Sequence, residues 1–344
     1  MATTNTLTGR ENLLNIAQMT HNQEIIDVAE VLNETNDMIA DAHVERANDI
    51  TSHVVSRRTL MPVPTWTKVG EGWVPTAGLV NQVREGIATM RSRYQAPQQV
   101  LDLQPNPAKA RQQQERAHIE AMGHEFSRTV IAGSMNASPE EFNGLENRYG
   151  TLSTAAQIGT GAADVQYVLN NGNTTGSDST SIWFLQWGPG KVYLVYPRNS
   201  AGGGIKKEDK GLVLTNADNT AAAAGITAQI WAFITEFSWE VGLVVEDTRA
   251  VKRLANIDSV AGETFTLNED FIIQIRNNFQ TPGTVFMYCN ETIFTQLQIL
   301  AKDKQNVFWT QEAPFGKPQL MFQDMPVRRM DKQSITNTES ILTT

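Results

Sequence analysis

The sequence predicts an α+β fold, in which helices and antiparallel strands occupy separate stretches of the chain. Three observations support this prediction. Residues 106–132 have the caps and spacing of one long helix, residues 237–245 alternate apolar with polar side chains as a half-buried strand does, and residues 267–330 mix both patterns. The 344 residues, 40% of them hydrophobic, are enough for a large core and for two domains.

The first part of the chain predicts a helical arm followed by an extended segment. Residues 11–48 are expected to be helical because four apolar residues share one helical face: Ile25, Val28, Ala29 and Leu32. Residues 50–105 are punctuated by prolines and glycines, which interrupt regular pairing. They predict a long extended excursion carrying Trp66 and Trp73, with too few core positions to fold alone; a surface hairpin is the alternative.

The long helix has a clear start and stop. Asn106 is a favourable N-cap residue, Pro107 suits the first helical turn, and Gly133 ends the helix. Its buried face is predicted from an apolar stripe: Ile119, Met122, Phe126 and Val130.

Residues 181–197, SIWFLQWGPGKVYLVYP, are predicted to form a hairpin of two strands that turns at Gly188–Gly190. Both flanks are nearly continuous in apolar residues, so both faces are expected to be covered. The loop is not a phosphate-binding loop, because Leu185 and Val192 replace the required glycine and hydroxyl residue and a strand follows. The glycine-rich residues 159–164 and 201–207 also lack the context of a nucleotide site.

The last third of the chain predicts helices over 267–279 and 290–304, a buried strand over 284–289, and a strand and turn over 317–331. The single cysteine, Cys289, ends that apolar strand and is expected to be an inert buried thiol.

The pattern of reactive residues does not favour an enzyme. His118 and His124 lie six residues apart on the predicted helix and therefore point in different directions, which excludes a shared metal ion. Adjacent acidic pairs such as Glu140–Glu141 face apart, and no serine nucleophile motif is present. The sequence predicts no catalytic residue, no cofactor and no metal ion.

The net charge of −9 argues against binding of the nucleic-acid backbone through the overall field. Three basic pairs are each too short for clustered phosphate contacts and are expected to be solvated or salt-bridged: Arg57–Arg58, Lys206–Lys207 and Arg328–Arg329. No signal peptide is visible, and the most apolar run, residues 221–234, is too short to span a bilayer. Synthesis in the cytosol is expected.

The order of these features resembles that of tailed-phage major capsid proteins with the Hong Kong 97 (HK97) fold. Four blocks are similar to the capsid-protein group of the epsilon-fifteen-type short-tailed phages: GLENRYGTLS (144–153), GSDSTSIWFLQWGPGKVYLVYPRNSAGG (176–203), KGLVLTNAD (210–218) and WEVGLVVEDTRAVKRLANIDS (239–259). The buried ribbon of residues 181–197 comes earlier in the chain than is usual for this fold, which is consistent with a permuted strand order.

The resemblance implies four regions: an N-terminal helical arm (1–49), an extended loop (50–105), a peripheral domain (106–259) with its spine helix at 106–132, and an axial domain with a C-terminal return (260–344). It implies a virion shell protein, forming hexamers and pentamers around double-stranded DNA that it encloses without sequence-specific binding. The extended loop would reach a neighbouring subunit, which makes its basic and aromatic residues the candidate interface residues: Arg57, Arg58, Trp66, Lys68 and Trp73.

Further partners follow from the same resemblance. A portal and a decoration protein are candidates, no membrane is involved, and assembly would take place in the cytoplasm of the host bacterium. A separate scaffolding protein is expected, because the residues before the loop contain no charge-rich helical block. The alternatives are another HK97-fold shell, such as an encapsulin-like nanocompartment, and a nucleotide-dependent enzyme.

Overall fold

The computed structural model describes residues 20–21, 24–25, 37–154, 166–174, 176, 178–200, 202–216, 229–260, 266–303, 309–312 and 319–343. Helices and strands occupy separate stretches of these residues, so the α+β prediction is confirmed. The helices are α1 (Asp37–Asp41), α2 (Gln98–Asp102), α3 (Pro107–Ala132), α4 (Glu269–Asn278) and α5 (Glu291–Asp303).

The strands are mostly short, apart from two long ones that pair with each other, Lys206–Asn216 and Gln229–Val245. In chain order they are β1 (Thr20–His21), β2 (Glu24–Ile25), β3 (Val44–Arg46), β4 (Ser52–Leu60), β5 (Leu79–Gly86), β6 (Ala88–Pro97), β7 (Tyr167–Asn170), β8 (Ser179–Leu185), β9 (Val192–Tyr196), β10 (Lys206–Asn216), β11 (Gln229–Val245), β12 (Val251–Asp258), β13 (Phe286–Asn290), β14 (Trp309–Glu312), β15 (Gln319–Phe322) and β16 (Met325–Met330).

A seven-stranded sheet holds the largest core, with the strand order β14-β15-β16-β13-β8-β12-β7. Strands β13 and β16 are parallel, as are β12 and β7, while β8 is antiparallel to both of its neighbours. The sheet therefore includes strands from both sides of the boundary expected at residue 260.

Helices α4 and α5 contribute their apolar faces to this core. Asn268 caps α4 by accepting from the amide of Asp270, and Asn290 caps α5 by accepting from the amide of Ile293. The cap at Asn290 sits at the predicted helix start, and the cap at Asn268 lies one residue after the predicted start at 267. The buried cluster includes Ile182, Phe184, Leu254, Ile257, Ile272, Ile275, Met287, Cys289, Ile293 and Leu297.

The predicted hairpin over residues 181–197 is wrong in its pairing, although both strands exist and are buried. Strand β8 lies in the seven-stranded sheet, whereas β9 pairs with β11 and β3 in another sheet. The glycine turn carries the chain from one sheet to the other. Local sequence marks the turn, with Gly190 at a φ of 72°, but it does not show which strand each flank will pair with.

Helix α3 confirms the predicted long helix and its caps. The amide of Lys109 donates to Asn106 Oδ1 at 3.1 Å. Gly133 is required at the end because a side chain there would collide with the carbonyl oxygens of Thr129 and Phe142. The stripe is buried at Met122, Phe126 and Val130, but Ile119 is exposed, which corrects the prediction for that residue.

The helical prediction for residues 11–48 is wrong over most of its described part. Only α1 is helical there; β1, β2 and β3 are strands, and Ile25 lies in β2. Val28, Ala29 and Leu32 lie outside the described residues. The apolar spacing is compatible with a helix, but pairing with other strands decides the conformation of short segments.

The chain divides into two compact units. The first comprises residues 1–34, 89–123 and 204–240; the second comprises residues 35–88, 124–203 and 241–344. Strand β11 confirms the predicted period of two over residues 236–241, where Phe237, Trp239 and Val241 are buried. The prediction is wrong for residues 242–245, which are buried on both faces of the strand. None of the helices in the described ranges is long and apolar enough to cross a membrane.

Candidate inter-subunit surface

Residues 52–86 form a β-hairpin with a long loop. Strands β4 and β5, the hairpin stem, pair antiparallel from Ser52 opposite Gly86 to Leu60 opposite Leu79, with an irregularity after Arg58. Residues 61–78, the hairpin loop, lie beyond the last pair. The long extended excursion is expected over residues 50–105. The structure has paired strands over 52–60 and 79–86, β6 over 88–97 and α2 over 98–102, so within this range the longest stretch without strand or helix is the hairpin loop.

The hairpin loop contains its own turn. The amide of Glu71 donates to the carbonyl of Lys68 at 3.0 Å, and Gly70 between them has a φ of 88°, as the third position of a type II turn requires. The carboxylate of Glu71 accepts from the amide of Lys68 at 3.1 Å. Farther down, Thr76 Oγ1 donates to the carbonyl of Val63 at 3.1 Å and joins the two legs of the loop.

Large apolar side chains of the hairpin loop face solvent in the single chain. Trp66 is 104% exposed, Val69 108%, and Trp73 and Val74 77% each. A cleft of about 500 Å³ opens between the legs of the loop, lined by Val63, Pro64, Thr65, Thr67, Trp73, Val74, Pro75 and Thr76. Exposed apolar patches of this kind are typical of surfaces that bind another molecule.

The base of the hairpin stem is held by a buried carboxylate. Glu85 on β5 accepts from Arg57 on β4, with Oε1 2.9 Å from Nη2, and from Arg148, with Oε2 2.7 Å from Nη2. Arg57 also donates to the carbonyl of Val245 on β11, and Arg148 to the carbonyl of Asn143 at 3.1 Å. These bonds fix the stem to the rest of its unit.

A second network lies beside this one. His53 Nδ1 accepts from the amide of Asn48 at 3.3 Å, so the ring proton belongs on Nε2, which lies 3.1 Å from the hydroxyl of Tyr193. That hydroxyl donates to Glu246 at 3.0 Å. Burial lowers the pKa of His53, against the opposing charges of Glu246, Glu45 and Glu85, so the neutral ring is favoured.

The structure separates the five predicted interface residues into two groups. Arg58, Trp66, Lys68 and Trp73 are exposed on the hairpin, whereas the side chain of Arg57 is only 9% exposed and points to Glu85. The interface role of all five stays a prediction.

Sequence reasoning missed several residues that belong with these five. Val69 and Val74 add to the apolar surface of the hairpin loop, and Glu85 and Arg148 hold the stem. For Val69 the sequence does contain a signal, because the glycine that follows it, Gly70, indicates a turn. A side chain in such a turn points outward. No local signal links Arg148 to Glu85, because they are 63 residues apart.

The basic pairs and the single cysteine lie in the environments that the sequence predicts. The basic pairs are salt-bridged as expected at Lys206 to Glu240, Lys207 to Glu115, and Arg328 to Asp41. Cys289 is fully buried, and burial raises the pKa of its thiol.

The two histidines of α3 have separate partners, Ser92 for His118 and Asp331 for His124. Within the described ranges, no three histidine, cysteine or acidic side chains are grouped so as to hold a metal ion.

Comparison with solved structures supports the fold. A chain in the near-atomic cryo-EM structure of bacteriophage epsilon15 is 25% identical, with 98% of each chain covered and a TM-score of 0.68. The capsid of bacteriophage JBD30 is 10% identical, with 93% of this chain and 98% of that chain covered and a TM-score of 0.47. The SrpI encapsulin complex of Synechococcus elongatus is 12% identical, with 75% and 99% covered and a TM-score of 0.41.

The JBD30 and encapsulin likenesses are too distant to support an argument, and no curated protein matches the sequence. The family model described as major capsid protein GP7 matches residues 20–343. An exposed apolar hairpin on a mixed helix and strand scaffold suits such a subunit. The chain therefore belongs to the major capsid protein GP7 family, has the HK97-like fold, and is a structural protein of the icosahedral shell of a tailed bacteriophage.

Proposed function

We propose that the chain joins its neighbours in the shell through the hairpin loop, which lies against a second copy of the chain within hexamers and pentamers. The observation that supports this proposal is the exposure of Trp66, Val69, Trp73 and Val74 on one short segment. A soluble monomer would gain nothing from this arrangement, whereas a subunit that is always covered by a neighbour would bury it.

In this proposal the candidate residues have different tasks. Trp66 and Trp73 are the apolar anchors, since aromatic residues contribute much of the binding energy of protein interfaces. Arg58 and Lys68 place positive charge beside them and set the orientation of the contact. Arg57 acts from within the chain, because its ion pair with Glu85 holds the stem from which the loop extends.

The experiment replaces both tryptophans by alanine in the full chain and compares assembly with that of the double phenylalanine variant. We expect Trp66→Ala with Trp73→Ala to leave a folded subunit by circular dichroism that fails to form shells in electron micrographs. The double phenylalanine variant should still assemble, because it keeps an aromatic ring at both places. Normal shells from the alanine variant would remove the loop from the assembly contact.

The four regions inferred from the resemblance fit the same proposal. The arm (1–49), the extended loop (50–105), the peripheral domain (106–259) and the axial domain (260–344) would each meet neighbours at a different place in the shell. The net charge of −9 suits a wall that encloses DNA without binding it tightly.

We also propose that a separate scaffolding protein guides assembly in the host cytoplasm, with a portal and a decoration protein as further partners. Contacts between quasi-equivalent copies differ little in energy, so the same subunit can close into several shells unless curvature is set from outside. The chain expressed alone should give capsomers, open spirals or shells of mixed size. Uniform closed shells from this chain alone would contradict the need for a scaffold.

A further inference from the structure

The C-terminal residues 337–343, here named the C-terminal strap, lie along the seven-stranded sheet. Glu339 bridges Ser179 of β8 in antiparallel fashion, and its amide donates to the carbonyl of Ser179 at 2.9 Å. Thr338 and Ser340 on either side face solvent, while Asn337 and Glu339 are half-buried. The strap therefore presents alternate side chains to the sheet, as an added strand does.

The carboxylate of Glu339 enters a polar site that is otherwise closed to water. Its side chain is 8% exposed, and Arg253, which is 1% exposed, donates to Oε2 at 2.9 Å. Ser181 donates to the same oxygen. Arg253 is held in place by the carbonyl of Tyr149 at 2.9 Å and by the ring of Trp183, whose centroid is 4.6 Å away. Without the strap this guanidinium would lose its best-buried carboxylate.

Asn256 on β12 binds the backbone of the strap. Its Oδ1 accepts from the amide of Leu342 at 2.9 Å, and its Nδ2 donates to the carbonyl of Leu342 at 3.0 Å. A single side chain thus bonds both polar groups of one strap residue. Asn256 has a φ of 58° at a register shift in β12, a left-handed conformation that asparagine adopts more readily than most other residues.

The beginning of the strap is bound in the same specific way. Asn337 Oδ1 accepts from Asn290, which is fully buried, and its Nδ2 donates to Thr292 Oγ1 at 3.0 Å. Ser259 Oγ donates to the carbonyl of Asn337 at 3.4 Å. We name these binding residues the strap groove: Ser181, Arg253, Asn256, Ser259 and Asn290. The groove contacts the side chains of Asn337 and Glu339 and the backbone of Leu342.

We propose that the strap groove is a peptide-recognition site for an extended segment with a carboxylate two residues after an asparagine. Its resident ligand is the chain's own strap, and the same segment on a separate molecule occupies the groove when that strap is withdrawn. The groove is built for this ligand because its buried polar groups, at Arg253, Asn256 and Asn290, each bond the strap and would otherwise lack those partners.

The test uses the full chain and two matched charge substitutions. Glu339→Lys places a cation against Arg253 and should expel the strap, while Thr338→Lys makes a like substitution at the neighbouring exposed position. We expect the amide of Leu342 to exchange with solvent at least about tenfold faster in the first variant only. A labelled peptide of residues 336–344, TNTESILTT, should then bind the Glu339→Lys chain, and not the Thr338→Lys chain.

A third variant tests whether Asn256 recognises the ligand. Asn256→Gly tolerates the same φ but lacks the amide, so adding it to Glu339→Lys should weaken peptide binding at least about tenfold. If Glu339→Lys does not fold, Asn256→Gly alone decides, since the amide of Glu339 should then exchange faster than in the wild-type chain. Equal peptide binding by the two lysine variants, or unchanged exchange at Glu339, would overturn the proposal.

Discussion

Arg57 and Glu85 form an ion pair across the hairpin stem, with Nη2 2.9 Å from Oε1 and with both side chains less than 10% exposed. Arg148 approaches the same carboxylate from outside the stem, which gives two cations to one anion. The bond from Arg148 ties the stem to its own unit, and the hairpin loop is the part of the hairpin that is left to meet a neighbour. A rigid stem lowers the entropy that the loop loses on docking.

We predict that Glu85→Gln destabilises the chain by about 3 kcal/mol, because it keeps the shape of the side chain but leaves two largely buried guanidinium groups without their carboxylate. Urea unfolding measures the loss. Lys332→Gln is the control, since the ion pair of Lys332 with Glu291 is 55% exposed on both sides and should contribute less than about 1 kcal/mol. Equal effects of the two substitutions would show that the buried cluster does not hold the stem.

The hairpin loop should be protected from protease only in assembled shells. Lys68 is exposed in a turn of the single chain, so trypsin should cut after it in unassembled subunits. A neighbouring subunit that covers the loop would slow this cleavage strongly. Mass spectrometry of the fragments identifies the site, and Lys68→Gln should abolish that fragment. The same cleavage rate in shells and in free subunits would contradict an inter-subunit position.

Acid should weaken the hairpin stem through His53. Burial sets the folded-state pKa of His53 below its ordinary value of about 6.5, so the unfolded chain binds the proton more readily. This contribution to stability is present above pH 6.5 and is lost as the pH falls below it, when a proton on Nδ1 would face the amide of Asn48. Glu246, Glu45 and Glu85 oppose the effect by favouring the charged ring.

The measurement compares the melting temperature of the wild-type chain and His53→Gln from pH 8 to pH 5. We expect the wild-type chain to lose more stability than the variant below pH 6.5, with a constant difference above pH 7.5. His118, whose pKa burial also lowers, remains in both proteins and cancels in the comparison. Parallel curves over the whole range would exclude His53 as the acid-sensitive group.

Sequence patterns predicted the elements whose signals are local. Asn106, Pro107 and Gly133 marked the ends of α3, and the period of two marked β11, because caps and alternation depend on neighbours in the chain. Pairing could not be predicted in the same way. Strands β8 and β9 are separated by a tight turn yet lie in different sheets, since partners far along the chain, β12 and β11, decide where each one packs.

The candidate inter-subunit surface was also predictable only where its signal is local in the sequence. Composition identified the exposed aromatic loop with Trp66 and Trp73, but Arg57, which the sequence grouped with Arg58, is buried. The burial of Arg57 depends on Glu85 and on Val245, which is 188 residues away. A basic pair in the sequence does not show which of its members turns inward.

The last prediction concerns Lys252, a fully buried lysine on β12. Its Nζ lies 4.6 Å from the ring centroid of Tyr167 and 4.8 Å from that of Phe279, and it donates to Asn278 Oδ1. Burial lowers the pKa of this amine from 10.5 to about 8, which opposes folding at pH 7 by roughly 3 kcal/mol. The two ring contacts offset roughly 1–2 kcal/mol of that cost.

We therefore expect Lys252→Met, which fills the same space without a charge, to raise stability at pH 7 by about 1 kcal/mol. The pH dependence identifies the cause. Because the folded-state pKa is depressed, the wild-type chain gains stability relative to the variant as the pH rises from about 8 to 10.5, and the advantage of methionine should shrink over that range. Denaturant unfolding at pH 7 and pH 10 measures both values.

Lys252→Ala is the control, since it also removes the charge but leaves a cavity and should be less stable than the wild-type chain at both pH values. A methionine variant that is much less stable at pH 7 would mean that the ring contacts and the bond to Asn278 outweigh the cost of burying the charge.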